Sequence, residues 1–325
     1  MKLAIDAMSG DRGSEIVVQA CEAFLQKNTE DTLYVVGKVE ELQVLAKHPQ
    51  VILEDARDVI DMHENIVGIR HKKEASMVKA MLLARKGTVD AVVSCGNTGA
   101  YFAAASLFLK RLKGVERSCL MAQLPNLQQQ PMVMLDVGAN AENTAQQLLS
   151  FAIMGSIYMR AVYTKAKPSV ALLNIGSENH KGDALHQETY TLLENNPMIH
   201  FVGNIEGKEI LAGEVDVIVT DGFSGNIALK TAEGVANTMF RVIKDSLLSS
   251  TKGKIGAWLA KDNLMHCSQV FNADSAGGAL MIGLEKPVIK AHGASNAAAF
   301  ESAMHIASTM VNREVAQKIK EGLIL

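Results

Sequence analysis

The chain has 325 residues, 48% of them hydrophobic and 21% charged, with a formal net charge of −3. Such a composition supports one large α/β unit or two smaller ones, and it lacks the basic excess or aromatic-studded basic stripe that nucleic-acid binding requires. Its four cysteines, Cys21, Cys95, Cys119 and Cys267, are far apart and form no CxxC pair, which argues against a disulfide framework or a zinc site and for reduced thiols.

The opening MKLAIDAMSGD reaches an acidic residue at Asp6, before a secretory apolar core could form. No run of about 18 apolar residues follows, so no membrane span is expected, and the protein is expected in the cytoplasm. Short apolar runs predict strands at Leu3–Ile5, Leu33–Val36, Val51–Leu53, Ala91–Val93, Met132–Leu135, Val170–Leu173, Ile199–Val202 and Val215–Val219. Most carry Val, Ile and Leu on consecutive positions, as strands covered on both faces do. Helical spacing lies between them: Ile16, Ala20, Cys21 and Phe24; Met77, Ala80, Met81 and Ala84; then about Asn143 to Arg160, with Leu148, Ala152 and Gly155 on one stripe. Further helices are predicted over Ala100–Leu112 and Ile227–Leu248. The alternation predicts a Rossmann-like α/β/α arrangement with a mostly parallel sheet, as one continuous unit over residues 1–325.

One stretch breaks this pattern. Over Leu247–Leu264, Ile255, Trp258 and Leu259 share a helical face, flanked by Lys252, Lys254 and Lys261. An amphipathic helical hairpin is expected at about 245–265. Its apolar face packs on the core, on a second subunit, or on a membrane surface.

In parallel sheets ligands bind at the carboxyl ends of strands, and there the chain places small and polar residues. They lie at Asp6–Asp11, Ser94–Ala100, Asp136–Asn140, Asn174–Gly182, Gly203–Gly207, Thr220–Asn226 and His292–Ser295. The first six are expected on one rim, with His292–Ser295 near the end of the chain. Glycines let backbone N–H groups approach an anion, and a helix start after such a turn adds free donors. Ser94–Gly99 and Asp221–Asn226 are the best phosphate-binding candidates on that ground. No G-x-G-x-x-G follows a strand, no P-loop is present and no G-x-S-x-G elbow appears. Cys95, at a helix start, could be a nucleophile or simply a small packing residue. No metal cluster and no cofactor are expected.

The segments DAMSGD, VSCGNTGA, LDVGAN, LLNIGSENHKG, FVGNIEG, DGFSGNIALKTAEG and HGAS run in this order over essentially the whole chain. Together they resemble the bacterial phosphate acyltransferase (PlsX) family. The resemblance implies a fold like that of phosphate acetyltransferases and the isocitrate/isopropylmalate dehydrogenase group. It implies conversion of acyl-[acyl carrier protein] and inorganic phosphate to acyl phosphate and free carrier, for phospholipid synthesis. It also implies a homodimer, peripheral membrane contact through Ile255, Trp258 and Leu259, and hand-off to a membrane glycerol-3-phosphate acyltransferase. The chain departs from the family pattern at Ser9, where glycine is usual, at Arg12 and Gly13, and at Cys95, where alanine is common.

Such a reaction needs alignment of phosphate with the thioester carbon and donors for an oxyanion. Lys181, Asn204, Asp221 and His292 are the expected catalytic residues: Lys181 as the cation, Asn204 as a donor, Asp221 as proton acceptor or anchor, His292 as acid to the leaving thiolate. Asp6, Gly10, Asp11, Gly96, Asn97, Thr98, Asp136, Asn140, Glu206, Ser224, Gly225 and Asn226 are expected to bind phosphate or substrate. Each has a plain structural rival, with Asp136, Asp221 and Asn204 as helix caps or loop ties and Lys181 as half of an ion pair. Basic clusters at Arg70–Lys73 and at Lys110, Arg111, Lys113 and Arg117 could dock an acidic carrier protein, or be solvated faces. The rival functions are a transferase using coenzyme A thioesters, a dehydrogenase of the related fold, and a non-catalytic scaffold at the membrane surface.

Overall fold

Consecutive apolar residues become strands buried on both faces: Leu3, Ala4 and Ile5 are each fully buried, as are Val217, Ile218 and Val219. The computed structural model describes residues 1–60, 66–270 and 278–323. In chain order the strands are β1 (Lys2–Asp6), β2 (Thr32–Gly37), β3 (Val51–Asp55), β4 (Ala91–Ser94), β5 (Cys119–Gln123), β6 (Val133–Leu135), β7 (Ser169–Asn174), β8 (His200–Glu206), β9 (Val217–Val219), β10 (Ala279–Ile282) and β11 (Val288–Lys290). The helices are α1 (Ser14–Lys27), α2 (Val39–Leu42), α3 (Ile66–His71), α4 (Ser76–Arg85), α5 (Thr98–Phe108), α6 (Ala145–Tyr163), α7 (Ala184–Glu194), α8 (Gly222–Leu248), α9 (Thr251–Leu259), α10 (Lys261–Val270), α11 (Ala297–Asn312) and α12 (Val315–Gly322). The strands form one sheet in the order β3-β2-β1-β4-β11-β10-β5-β6-β9-β7-β8.

Side chains alternate across the sheet. Leu3, Ile5, Val133 and Leu135 face one core with α1, α6, α11 and α12. Ala4, Met134, Leu120 and Met281 face the other, with α4 and α5. The fold is α/β with a mostly parallel sheet, as the alternation predicted. All eight predicted strands are present. β5, β10 and β11 were not predicted: CLMAQ and ALMI lean on Met, Ala and Leu rather than β-branched residues, and VIK is only a strand fragment.

Those three strands overturn the single rim. β11 runs parallel to β4, but β10 is antiparallel to both β11 and β5, and β5 is antiparallel to β6. The sheet is therefore two parallel blocks of opposite direction. β1, β4 and β11 end at one edge, and β6, β9, β7 and β8 end at the other.

Boundaries shift for local reasons. α8 starts at Gly222 rather than Ile227, because Asp221 caps it by accepting the Ser224 N–H at 2.8 Å. α5 ends at Phe108, short of Leu112. The segment expected as a loop after Val202 is strand: β8 keeps pairing with β7 to Glu206 through a bulge between Phe201 and Asn204. Gly203, at φ +105°, lies in that bulge. Over the stretch where the hairpin is expected lie the end of α8, then α9, capped by Ser250 through Gly253 N–H at 3.0 Å, then α10.

Candidate active site

A cavity of about 810 Å³ lies over the middle of the sheet, between α5 and α8. Its floor is Leu120 and Ala122 of β5 with Ala279 and Met281 of β10. Phe102 and Leu107 of α5 face Leu229 and Ala236 of α8. This largely apolar slot meets polar groups brought from both blocks: Thr98, Asn226, Lys290, His292 and Ser295. The three antiparallel pairings that spoil the single rim are thus what bring loops of opposite blocks to one cavity.

Under the α5 end, buried Asp6 accepts the Ser94 hydroxyl at 2.7 Å and the Met8 N–H at 3.2 Å. The Ser94 hydroxyl in turn accepts the Gly96 N–H at 3.0 Å. Asn97 caps α5 by accepting the Ala100 N–H at 3.0 Å, which puts Thr98 in the first turn, on the cavity wall. Asp6, Gly96 and Asn97 therefore build this turn and do not line the cavity. Gly10 packs on the Cys95 sulfur so closely that a Cβ would overlap it, and a Cβ on Gly96 would lie 2.6 Å from Met77 Cε. Asp11 ties this loop to the HGAS segment through its N–H to the Gly293 carbonyl, 3.1 Å.

Burial, helped by nearby Asp6, pushes the Cys95 thiol up to about 12. It is a protonated packing residue and not a nucleophile. Burial likewise raises Cys21 to about 12 and lifts Cys119 well above its ordinary value, whereas Cys267 is exposed. Iodoacetamide applied to the native protein at pH ~8 is expected to modify Cys267 alone. Peptide mapping checks this, and Cys95→Ala should keep turnover within about threefold.

At the other block, Asp136 is buried after β6. It accepts N–H groups of Leu120, Gly138, Ala139 and Asn140 and the Asn140 amide, at 2.8–3.1 Å. Burial pushes its carboxyl above the usual range, and those donors pull it back. Asn140 also donates to the Ser118 carbonyl at 2.9 Å, so its amide is committed to the loop. Gly222 and Gly225 pack where a Cβ would strike the carbonyl oxygens of Asn140 and Asp136. That contact presses the α8 start onto the Asp136 loop and places Asn226 at the cavity.

Of the expected site residues, Thr98, Asn226 and His292 line the cavity. Asp136, Asn140, Asp221, Ser224 and Gly225 support it. Lys181, Asn204 and Glu206 lie at the β7–β8 edge. Lys181 Nζ is 3.9 Å from Glu178, Asn204 donates to the Glu178 carbonyl at 2.8 Å, and Glu206 pairs with Lys208 at 3.0 Å. None of the three lines the cavity. The physical reason is that Asn204 and Glu206 are strand residues, on the sheet's outermost strand.

The sequence reading missed Lys290. It ends β11, is only 8% exposed, and lines the cavity. Its ammonium donates to the Ala291 carbonyl at 3.0 Å, and burial lowers its pKa. The one signal was a lysine closing the apolar run before HGAS. His292 Nδ1 accepts the Ala294 N–H at 3.2 Å, so the neutral ring carries its proton on Nε2. Among the described residues no cluster of His, Cys, Asp or Glu could hold a metal.

No residue of α9 lines this cavity. Ile255, Trp258 and Leu259 are 56%, 74% and 73% exposed, so they do not pack on this chain's core. Among the described residues no helix is long and apolar enough to cross a membrane. The basic residues Arg70, Lys73, Lys110, Arg111, Lys113 and Arg117 are exposed.

Residues 1–318 match the model of a family described as fatty acid synthesis protein. A phosphate acyltransferase of Dictyoglomus turgidum is 41% identical over 330 residues, covering 99% of this chain and 98% of that protein. Another, of Exiguobacterium sibiricum, is 43% identical over 326 residues, with the same coverage of 99% and 98%. Among solved structures, a phosphotransacetylase from Streptococcus pyogenes superposes with a TM-score of 0.62 at 18% identity, over 96% of this chain and 94% of that one. A 4-hydroxythreonine-4-phosphate dehydrogenase from Salmonella typhimurium gives 0.52 at 13% identity, over 95% and 99%. These two structural likenesses establish the shared fold.

Proposed function

The chain belongs to the fatty acid synthesis protein family, among phosphate acyltransferases, and we propose that it transfers an acyl group from acyl carrier protein to inorganic phosphate, for phospholipid synthesis. The observation that carries this reading is the cavity: an apolar slot for an acyl chain that ends on polar loops from both blocks of the sheet. The chain enters between α5 and α8, and the thioester comes to rest at the polar end. A phosphate oxygen attacks the carbonyl carbon, the C–S bond breaks, and its electron pair leaves on sulfur. The proton of HPO₄²⁻ ends on the thiol, so the acyl phosphate leaves as a dianion and no further reactant is needed. That proton passes from the phosphate to the departing sulfur, while His292, with its proton on Nε2, donates a hydrogen bond to the sulfur as charge builds on it. Thr98 and Asn226 donate to the oxyanion of the tetrahedral intermediate, and Asp221 serves them by capping α8.

A thiol-release assay tests the reading, with acyl-carrier protein and acyl-coenzyme A each offered with and without phosphate. Phosphate-dependent release from the carrier, with the product trapped as a hydroxamate, is the expected result. Preference for coenzyme A would replace the carrier as substrate, and release without phosphate would refute the chemistry. The exposed basic residues of 70–73 and 110–117 are assigned to the acidic carrier. The KM for acyl-carrier should therefore rise about tenfold between ~50 and ~300 mM salt, because exposed charges are screened over about 10 Å at 0.1 M.

We assign α9 to peripheral contact with the cytoplasmic face of a membrane, where a membrane-seeking acyl phosphate would be handed to a glycerol-3-phosphate acyltransferase. Ile255, Trp258 and Leu259 are its exposed apolar tip, flanked by lysines. Trp258 is the sole tryptophan and reports on itself. Its emission should shift to the blue on anionic vesicles, and Trp258→Ala with Leu259→Ala should weaken vesicle binding at least about tenfold, since each buried side chain is worth ~1.5–3 kcal/mol. A homodimer is proposed as well, supported by the exposed apolar stripe of Phe223, Ile227, Val235, Met239 and Val242 on α8. Light scattering at micromolar concentration checks it.

A further inference from the structure

We propose that the attacking phosphate is held at the Lys290 end of the cavity, between the Lys290 ammonium, the Ser295 hydroxyl and the first turn of α5. This rests on the transferase reading above and gives its second substrate a place.

Lys290 is the first observation. It is 8% exposed, and among the described residues its ammonium makes one hydrogen bond, to the Ala291 carbonyl 3.0 Å away. An ammonium has three donors, so two remain for a ligand. Among the described residues no carboxylate stands within ion-pair distance of it. Asp11 and Glu233 act on it only through space, and Lys230 opposes them. Glu233 is itself spent on Lys230, at 2.7 Å. Cys95, the other acid close by, is a protonated thiol. A buried cation without a counter-charge is costly, and the cost is met when an anion enters the space that Lys290 lines.

Ser295 is the second, independent observation. It is 3% exposed, lines the same cavity, and its buried Oγ has no hydrogen-bond partner among the described residues. A buried hydroxyl left unpaired is destabilising, and a tetrahedral oxyanion supplies the missing acceptor. Thr98 and Gly99, the first residues of the 11-residue α5, complete the wall. That helix end favours negative charge. Lys290 pairs in register with Ser94 on β4, three residues before Asn97, the cap of α5. The cation and the helix start are thereby fixed by one pair of strands.

The arrangement favours a resident anion over a transient one. An oxyanion exists only during the reaction, whereas Lys290 is buried in the resting protein. A phosphate dianion matches a ground-state cation, a hydroxyl donor and a helix end together. The apolar floor beyond them leaves the thioester on the other side of the attacking oxygen.

Binding of radiolabelled inorganic phosphate by equilibrium dialysis, with no acyl donor present, separates this inference from the reaction itself. Wild type is expected to bind phosphate. Lys290→Met, which removes the charge and keeps the length, should weaken binding at least about 30-fold, and Ser295→Ala about three- to tenfold. Lys290→Met should melt no lower than wild type, because an apolar side chain suits the buried site. In turnover, Lys290→Met should raise the phosphate KM by a similar factor and leave the KM for acyl-carrier within twofold. Unchanged phosphate binding in both variants would overturn the assignment. So would a loss of binding in Lys181→Ala instead, which would put phosphate at the β7–β8 edge. A fall in kcat with phosphate KM and binding unchanged would also overturn it, by giving Lys290 to the oxyanion. Failure of the transferase reading looks different: phosphate binds through Lys290, yet no acyl phosphate forms.

Discussion

Asp136→Ala should lose about 3–5 kcal/mol of stability, seen as a lower midpoint in urea, and most of its turnover even where it remains folded. The carboxylate is buried and serves five donors: four backbone N–H groups and the Asn140 amide. Each buried donor left unpaired costs about 1–3 kcal/mol, and relaxation of the loop recovers part of the sum. Asp136→Asn should recover little. An amide offers one acceptor oxygen, and its NH₂ would face N–H donors on the other side. Leu120 N–H is the far-reaching member, because it links the Asp136 loop to the start of β5, on the cavity floor. Val137, Gly138 and Ala139 line the cavity, and the α8 start rests on the same loop through Gly222 and Gly225. Loss of the carboxylate should therefore move Asn226 and lower kcat, while Asn140→Ala, which removes one of the five donors, should be much milder. Equal destabilisation by both variants would mean that the backbone bonds contribute little.

The sequence carried the fold class because buried parallel strands are spelled in consecutive Val, Ile and Leu, as in AVVS of β4 and VALLN of β7. It carried no direction. A run such as Val133–Leu135 looks the same whichever way it points, and the reversal rests on β5 and β10, whose Met and Ala gave no strand signal. The polar strand ends were legible as places, but their division of labour was not. Asn97 and Asp221 serve as caps and Asp136 as a loop anchor, roles that use the same residue types as ligand binding. Asn204 and Glu206 fall on a strand and not in a loop because a bulge, invisible in the pattern, carries β8 past Gly203. Lys290 was overlooked because a lysine after Val288 and Ile289 looks like the polar end of a strand. Only the closing of α5 and α8 over it shows that it is buried.

Ala103→Trp should reduce transfer of long acyl chains at least about 100-fold while leaving short chains within about fivefold and the melting temperature nearly unchanged. Ala103 is half-buried on α5 and lines the slot, so a larger side chain there takes up space within it. Burial of a methylene is worth about 0.8 kcal/mol, so four methylenes shut out of the slot cost roughly 3 kcal/mol, a little over 100-fold. A two- or four-carbon acyl group would sit at the polar end, beside Thr98 and His292, and would not reach the obstruction. Phosphate KM should not move, because the cation and the hydroxyl proposed to hold phosphate are not altered. The contrast between chain lengths decides the matter. A uniform loss across all chains would say that α5 had shifted and disturbed Thr98. No loss at any length would mean that the acyl chain does not lie between α5 and α8, and the cavity would then lose its role as the acyl site.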